Sequence, residues 1–135
     1  MCSQIVFVSD QDGDYEIYVM NVDGSGRVQL TDNTTQDFEP AWSPDGKRIA
    51  FAASLTPRIN GIFVMNADGS GRSTLAIHPW FVCCPTWSPD SKQIAFGARP
   101  EGVDEIFVMN ADGSEQTNVT NSPTRDSRPA WRPRP

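Results

Sequence analysis

The string Trp-Ser-Pro-Asp-Gly-Lys-Arg-Ile-Ala-Phe at residues 42–51 returns, with two substitutions, as Trp-Ser-Pro-Asp-Ser-Lys-Gln-Ile-Ala-Phe at residues 87–96. A second string, Val-Met-Asn-x-Asp-Gly-Ser, occurs three times, at Val19–Ser25, Val64–Ser70 and Val108–Ser114. Successive copies are 44 or 45 residues apart. A repeat of this length, written in short strands and Asp-Gly turns, is typical of the four-stranded blade of a β-propeller.

Each repeat predicts four short strands, named A to D. Strand A carries Pro-x-Trp and ends in a Ser-Pro-Asp turn, in which proline fixes φ and aspartate supports the bend. Strand B carries Ile-Ala-Phe. Strand C is apolar on both faces, as in Ile62–Met65, which indicates that it is covered on both sides. The Asp-Gly pair after it is a hairpin signal before strand D. No segment has a helical period.

The phase of the repeat predicts how the strands are distributed along the chain. Ile5–Ser9 aligns with strand B and Pro129–Pro133 with strand A, so the order is BCD-ABCD-ABCD-A. We predict an all-β fold of antiparallel four-stranded blades, three per chain, in a single domain over residues 1–135. The expected bounds are about 4–31 plus strand A at 129–133 for blade 1, about 38–77 for blade 2 and about 83–120 for blade 3.

The composition argues against several classes of function. The formal net charge is −6, which disfavours nucleic acid and anionic membranes as partners. No apolar run approaches the roughly 20 residues that a membrane-spanning helix needs. The sequence lacks the Gly-x-Ser-x-Gly and His-Glu-x-x-His motifs and a phosphate-binding glycine loop, and it has one histidine. We therefore predict neither enzymatic activity nor a cofactor, and neither nucleic-acid binding nor membrane insertion.

These two long strings closely resemble the WD-like repeats of the TolB propeller family over nearly the whole chain. The resemblance implies a bacterial propeller related to a periplasmic component of the Tol–Pal envelope system, with six blades and an additional N-terminal domain. Here only three repeats are present, without that domain. The resemblance implies a periplasmic location if a leader has been removed, and the cytoplasm is the alternative.

Three blades are half of the ring that the resemblance implies, so we expect a homodimer that closes by strand exchange. Strand A of one chain would complete the BCD sheet of the other, with Ile5 and Phe7 meeting Pro129 and Trp131 of the partner. The charge distribution favours this pairing. Residues 1–45 hold nine acidic residues and one basic residue, whereas the last eleven residues hold four arginines and one aspartate.

The residues just before each strand A are the candidates for a binding site, because the family brings them to the rim of its central channel. They differ between blades, while the framework around them repeats. The loop before the second of these segments adds the only histidine and a tryptophan outside the repeat, a pair that could bind a ligand or simply pack. The candidate residues are Asp37, Phe38, Glu39, His78, Trp80, Cys83, Cys84, Asp126 and Arg128.

Two other patterns carry weaker chemical expectations. Asp10, Asp12 and Asp14 look like the start of a calcium loop, but the EF-hand glycine and distal glutamate are out of register, so we predict no metal. Cys83 and Cys84 are adjacent, which favours two free thiols.

Three functions remain open at this stage. The first is a non-catalytic scaffold that recognises a protein or peptide at the channel mouth. The second is a binder of a small ligand or carbohydrate in the channel. The third is a glycoside-processing enzyme that uses paired carboxylates such as Asp37 and Glu39.

Overall fold

The computed structural model describes residues 3–134, and within them eleven strands form three antiparallel sheets. The first sheet has three strands and the other two have four each. One 3-10 turn at Pro100–Gly102 is the only helical segment of residues 3–134. The strands are β1 (Gln4–Ser9), β2 (Glu16–Asn21), β3 (Val28–Gln29), β4 (Gln36–Trp42), β5 (Arg48–Thr56), β6 (Ile59–Asn66), β7 (Ser73–His78), β8 (Val82–Trp87), β9 (Gln93–Ala98), β10 (Glu105–Asn110) and β11 (Thr117–Asn118).

The sheets follow the order of the repeat and confirm the predicted fold class. They run β1-β2-β3, β4-β5-β6-β7 and β8-β9-β10-β11, which correspond to BCD, ABCD and ABCD. The predicted final strand A is different, because residues 129–134 lie in no sheet. A strand needs a neighbour to pair with, and blade 3 already has its own strand A in β8. We call the three sheets blades 1, 2 and 3.

The repeated Asp-Gly-Ser turns explain why strand C always folds back. In each turn the aspartate carboxylate accepts hydrogen bonds from the backbone N–H and the hydroxyl of the serine two residues later, with N···O distances of 2.9 to 3.0 Å. These bonds hold the pKa of Asp23, Asp68 and Asp112 below the ordinary value of 3.8. The central glycines have φ between 85° and 89°, where a side chain is disfavoured.

The apolar core lies between the blades rather than within any one of them. Blade 1 packs against blade 2 through Ile17 and Val19 on one side and Phe51 and Phe63 on the other. The opposite face of blade 2 packs against blade 3, around Ile94 and other buried residues. Each blade therefore buries an apolar face only when another blade lies beside it, as the apolar strand C predicted.

The repeated tryptophans link neighbouring blades. The indole N–H of Trp87 donates to the carbonyl oxygen of Ala41 at 3.1 Å, so strand A of blade 3 is bonded to strand A of blade 2. Trp131 makes the equivalent bond to the carbonyl oxygen of Thr86 at 3.0 Å. Residues 129–131 thus lie where strand A of a following blade would begin. No helix within residues 3–134 has the length and apolar character to cross a bilayer.

Candidate functional site

Three residues at equivalent positions, each just before the proline of strand A, have left-handed backbone conformations. The φ angles are 55° at Glu39, 62° at Cys84 and 56° at Arg128. None is glycine, and a following proline further restricts the backbone. In β4 and β8 the ladder with strand B is interrupted at the same place. Strained positions of this kind are concentrated at functional sites, and the strain here recurs in every repeat.

The same three residues come together around one cavity of about 250 Å³ at the inner ends of blades 2 and 3. Its walls carry charge of both signs. Arg99 is paired with Asp104 at 2.6 Å, which holds the pKa of that carboxyl below 3.8. Glu39 and Arg128 form no ion pair with any residue of the described chain. The cavity is lined by Glu39, Phe81, Cys83, Cys84, Gly97, Ala98, Arg99, Asp104, Asp126, Ser127 and Arg128.

The two cysteines of the cavity are joined in a disulfide. The expectation of two free thiols is therefore wrong. Successive side chains of a regular strand point to opposite faces, but the positive φ of Cys84 and the interrupted ladder after Cys83 break this alternation. The two sulfur atoms can then lie on the same side. Cys2 is outside the described residues.

Asp37 lies next to the cavity residues in sequence, but its carboxylate is buried in blade 2, beside the loop that joins this blade to blade 1. It accepts hydrogen bonds from Asn33 Nδ2 at 2.7 Å and Thr35 Oγ1 at 3.0 Å, and it forms an ion pair with Arg72 at 3.3 Å. Asp37 is fully buried, whereas Glu39 is exposed on the cavity. The pair therefore does not flank a common cleft in the way that a glycosidase requires.

Blades 1 and 3 contain a matching buried carboxylate at the start of strand C. Glu16 accepts hydrogen bonds from the Thr31 hydroxyl and from the backbone N–H of Asn33. Burial raises the pKa of Glu16 above 4.5, and these two hydrogen bonds oppose the rise. Glu105 accepts equivalent bonds from Thr120 and the N–H of Ser122. These carboxylates therefore anchor the loop between strands D and A and stay away from the cavity.

His78 and Trp80 form a separate aromatic cluster rather than part of the channel cavity. Their rings stack at a centroid distance of 4.8 Å, and His78 also stacks on Phe96 at 6.4 Å. The indole N–H of Trp80 is buried and has no hydrogen-bond partner in the described part of the chain. Trp80 borders a cavity of about 630 Å³ that also contains Glu101, Asn118 and Asn121.

The remaining predicted residues lie at the edges of the blades. Phe38 packs against the core between blades 2 and 3 and also borders a groove beside β1. Ile5 is exposed, Phe7 is half-buried on the open face of blade 1, and Pro129 and Trp131 are half-buried beside blade 3.

The acidic side chains that lie close together near the N-terminus are not the three that the sequence pattern suggested. Side-chain oxygens of Asp12, Glu16 and Asp32 lie within 4.8 Å of one another, and Asp10 and Asp14 are not part of that group. The Asp12 carboxylate accepts a hydrogen bond from Gln29, and both Glu16 oxygens are already engaged.

Sequence reasoning missed several cavity residues, among them Phe81, Arg99 and Asp104. Arg99 and Asp104 lie at the ends of strands B and C of blade 3, and no local pattern distinguishes them. Arg72, the partner of Asp37, could have been found by aligning the repeats, because Arg27 occupies its position in blade 1. Its pairing with a carboxylate 35 residues earlier is visible only in the fold.

Comparison with known proteins agrees with this architecture. Residues 2–78, more than half of the chain, match the PD40 family, described as the TolB beta propeller domain. The chain belongs to the TolB beta-propeller family. The resemblance predicted from the repeated strings is thereby confirmed.

Individual TolB-family relatives match over short stretches. The chain is 45% identical over 49 residues to a TolB homolog of Chlorobaculum tepidum, which is 36% of this chain and 11% of that protein. It is 51% identical over 39 residues to dipeptidyl-peptidase 5 of Porphyromonas gingivalis, which is 29% of this chain and 6% of that protein. These matches thus span about a tenth or less of the relatives' length.

Solved structures show the same fold. The TolB structure from Acinetobacter baumannii superposes with a TM-score of 0.77 and 24% identity, over 87% of this chain and 30% of that one. A TolB structure from Agrobacterium tumefaciens gives the same TM-score with 23% identity, over 85% of this chain and 44% of that one. At these identities the likeness concerns the fold.

Proposed function

We propose that this TolB-family chain is a non-catalytic binding module that recognises a protein or peptide at the cavity around Cys84. The observation that carries the proposal is the convergence of Glu39, Cys84 and Arg128, three differing side chains on strained and equivalent backbone positions, on one cavity. The repeated framework holds the positions, and the varied side chains supply the specificity. Several relatives are named Tol-Pal system protein TolB, which supports a role alongside other proteins.

The charges of the cavity favour a peptide over an apolar ligand. Glu39 and Arg128 each lack an ion-pair partner among the described residues, so each can accept an opposite charge from a bound chain. Phe81 adds an apolar wall, and the guanidinium of Arg99 lies 5.4 Å from its ring centroid. An extended peptide presents backbone polar groups together with charged and apolar side chains, and this mixed surface is complementary to it.

Selection from a displayed library of random linear peptides tests this function. We expect enriched peptides that bind the wild type and lose on the order of 10-fold or more in affinity for Arg128→Glu and Glu39→Lys, because each reversal removes an attraction and adds a repulsion. Lys47→Glu makes a comparable change at an exposed position in the A–B turn of blade 2, outside the cavity, and should leave binding unchanged. Peptides that bind all three variants equally would overturn the proposal, as would a lack of enrichment.

A second candidate function is the binding of a small polar ligand or carbohydrate beside Trp80. The cavity there combines the aromatic rings of Trp80 and Phe107 with the carboxylate of Glu101 and the amides of Asn118 and Asn121. Titration with a panel of oligosaccharides should quench tryptophan fluorescence if this site is used. Trp80→Ala would abolish that response while leaving the peptide affinity of the Cys84 cavity unchanged.

We also propose that the module works as a homodimer with strand-swapped closure, as its repeat phase predicted. The exposed Ile5 on blade 1 and Val119 on blade 3 support this, since both belong to faces that are covered where one blade meets another. Light scattering should give a mass of twice 14.9 kDa. A mass of 14.9 kDa at all concentrations would exclude the dimer and leave the peptide proposal to its own test.

A further inference from the structure

The open edge of blade 1 is a groove shaped like the position of a missing strand. β1 lies at the edge of its sheet, and beside it is a groove of about 950 Å³. In blades 2 and 3 the same edge of strand B is covered by strand A, with Ala41 opposite Ala50 and Thr86 opposite Ala95. The groove is lined by Val6, Phe7, Val8, Tyr15, Gln36, Phe38, Glu39 and Pro40.

A buried donor marks one contact that the missing strand would make. Trp87 and Trp131 each donate an indole hydrogen bond to a carbonyl of the preceding strand A. Trp42 holds the same position in blade 2, and its indole N–H is buried without a partner in the described residues. A donor that is buried without a partner destabilises the protein, because it has lost its hydrogen bonds to water and gained none in return. By the repeat, the carbonyl that Trp42 lacks is the one equivalent to those of Ala41 and Thr86, namely that of Ala130.

An arginine without an acid marks a second contact. Arg72 lies over the rings of Phe51 and Phe63, at 5.0 and 4.6 Å, and pairs with Asp37. Arg27 lies over Phe7 and Tyr18 in the same way, at 5.0 and 4.9 Å. Arg27 forms no ion pair within residues 3–134, and its Nη2 donates instead to the neutral acceptors Ser9 Oγ at 3.1 Å and Gln11 Oε1 at 2.6 Å. The guanidinium of Arg27 therefore has the position in blade 1 that the guanidinium of Arg72 has in blade 2. By the repeat, its partner would be a carboxylate equivalent to Asp37, in the strand A that blade 1 lacks.

The complementary carboxylate is found at the other end of the chain. Asp126 is the repeat equivalent of Asp37, and its backbone N–H donates to the carbonyl of Asp104 at 2.8 Å, as that of Asp37 does to Tyr15. Its Oδ2 accepts a bond from Ser122 at 2.9 Å. Asp37 is fully buried beneath Arg72, whereas Asp126 is only half-buried and has no basic partner among the described residues.

We infer that residues 126–133 of a second copy of this chain fill the groove along β1, and that the exchange is reciprocal. Trp42 then donates to the carbonyl of the partner's Ala130, and Arg27 pairs with the partner's Asp126. The inference rests on the proposed homodimer and specifies its contacts. No rearrangement of the donating copy is needed, because Trp131 keeps its bond to Thr86. Asp126 also lines the Cys84 cavity, so Arg27 of one copy is brought beside the binding site of the other.

Charge reversal on either side of this contact provides the test. The reciprocal dimer contains two contacts between Arg27 and Asp126. Arg27→Glu turns each of them into a pair of carboxylates, and Asp126→Arg turns each of them into a pair of guanidiniums. Each variant alone should therefore dimerise at least on the order of 100-fold more weakly, measured by sedimentation equilibrium. An equimolar mixture should recover the dimer, because it forms one native contact and one with the charges exchanged. Arg58→Glu, at an exposed turn of blade 2, is the matched control and should stay dimeric.

The outcomes separate clearly. Monomeric variants that dimerise on mixing support the inference, and circular dichroism must show that each is folded. A monomeric wild type, variants that remain dimers, or a mixture that stays monomeric would overturn it. If Arg27→Glu does not fold, Arg27→Gln takes its place and should weaken the dimer on the order of 10-fold, and an unchanged dimer counts against the contact. A monomeric wild type that still binds selected peptides would defeat this inference and leave the peptide site standing.

Discussion

At the scale of single residues, the cavity-facing positions before strand A depend on a conformation that their side chains do not favour. Glu39, Cys84 and Arg128 have φ between 55° and 62°, a range that glycine adopts more easily. Non-glycine side chains are nevertheless present there, and all three face one cavity. The Asp-Gly-Ser turns have a glycine at positive φ, whereas the positions before strand A have a side chain there despite the less favourable backbone conformation. This difference indicates that the side chains are needed at the cavity.

His78 should make the stability of the protein depend on pH. Burial lowers its pKa below 6.5, and its hydrogen bond with Gln116 only partly opposes this. The unfolded chain therefore binds a proton more readily than the folded protein, so the free energy of unfolding should fall as the pH drops below 6.5. The groups packed against the ring, Trp80, Phe96 and Gln116, carry no charge.

Urea denaturation between pH 7 and 5 measures this effect. In His78→Phe, which keeps an aromatic ring in the stack, the free energy of unfolding should lose the part of its slope that lies just below pH 6.5. His78 is the only histidine, so no other imidazole can mask the change. The same slope in both proteins would show that His78 titrates normally in the folded state.

At the scale of strands, strand A does two things at once, because it closes its own sheet and binds the next blade. Its outer half carries the tryptophan that donates to the preceding strand A, and its inner half carries the residues at positive φ. The interrupted ladder between these halves, at Phe38–Ala41 and at Cys83–Thr86, separates the two roles. The residues around the cavity therefore differ between blades without disturbing the contact between the blades.

Removing the indole donors should have different consequences in the two strands. Trp87→Phe breaks the bond to Ala41 and leaves a carbonyl unpaired, so the free energy of unfolding should fall by about 1 to 3 kcal/mol. In the Arg27→Glu background, which we expect to be monomeric, Trp42→Phe removes a donor without a partner and should cost less. Thermal denaturation checks this by comparing Trp87→Phe with the wild type, and the double variant Arg27→Glu/Trp42→Phe with Arg27→Glu alone. An equal loss at both positions would indicate that only ring packing matters.

At the scale of the whole molecule, the three blades of residues 3–134 pack side by side, with two apolar contacts between them and an outer face on blade 1 and on blade 3 that no other described blade covers. The two interior contacts bury Phe51 and Phe96 completely. Arg27 lies on the open face of blade 1 and Asp126 lies beside blade 3, and we propose that these two groups pair in the dimer. Because the three blades have the same structure, the contacts between neighbouring blades within the chain are the basis for the contacts that we propose between blade 1 of one copy and blade 3 of the other.

The sequence alone determined the blade. Its period, its Pro-x-Trp and Asp-Gly-Ser strings and its doubly apolar strand C are local signals, since turns and strands form from residues close together in the chain. They predicted the three sheets, their strand order and the near absence of helix. They also selected five of the residues around the cavity, because the positions before strand A are marked by the proline that follows.

The tertiary structure alone decided which of those residues belong to the site. Asp37 and Glu39 are two positions apart, yet Asp37 is buried in an ion pair with Arg72, which lies 35 residues later in the same blade, whereas Glu39 lies on the cavity. The place of Arg99 in the cavity and the indole of Trp42, which has no partner among residues 3–134, likewise depend on how the blades stack. The disulfide between Cys83 and Cys84 depends instead on the backbone conformation of Cys84 and the interrupted ladder beside it. The contact within blade 2 between Arg72 and Asp37 joins residues 35 positions apart, and the contact between blades through Trp87 and Ala41 joins residues 46 positions apart. No local pattern encodes either of them.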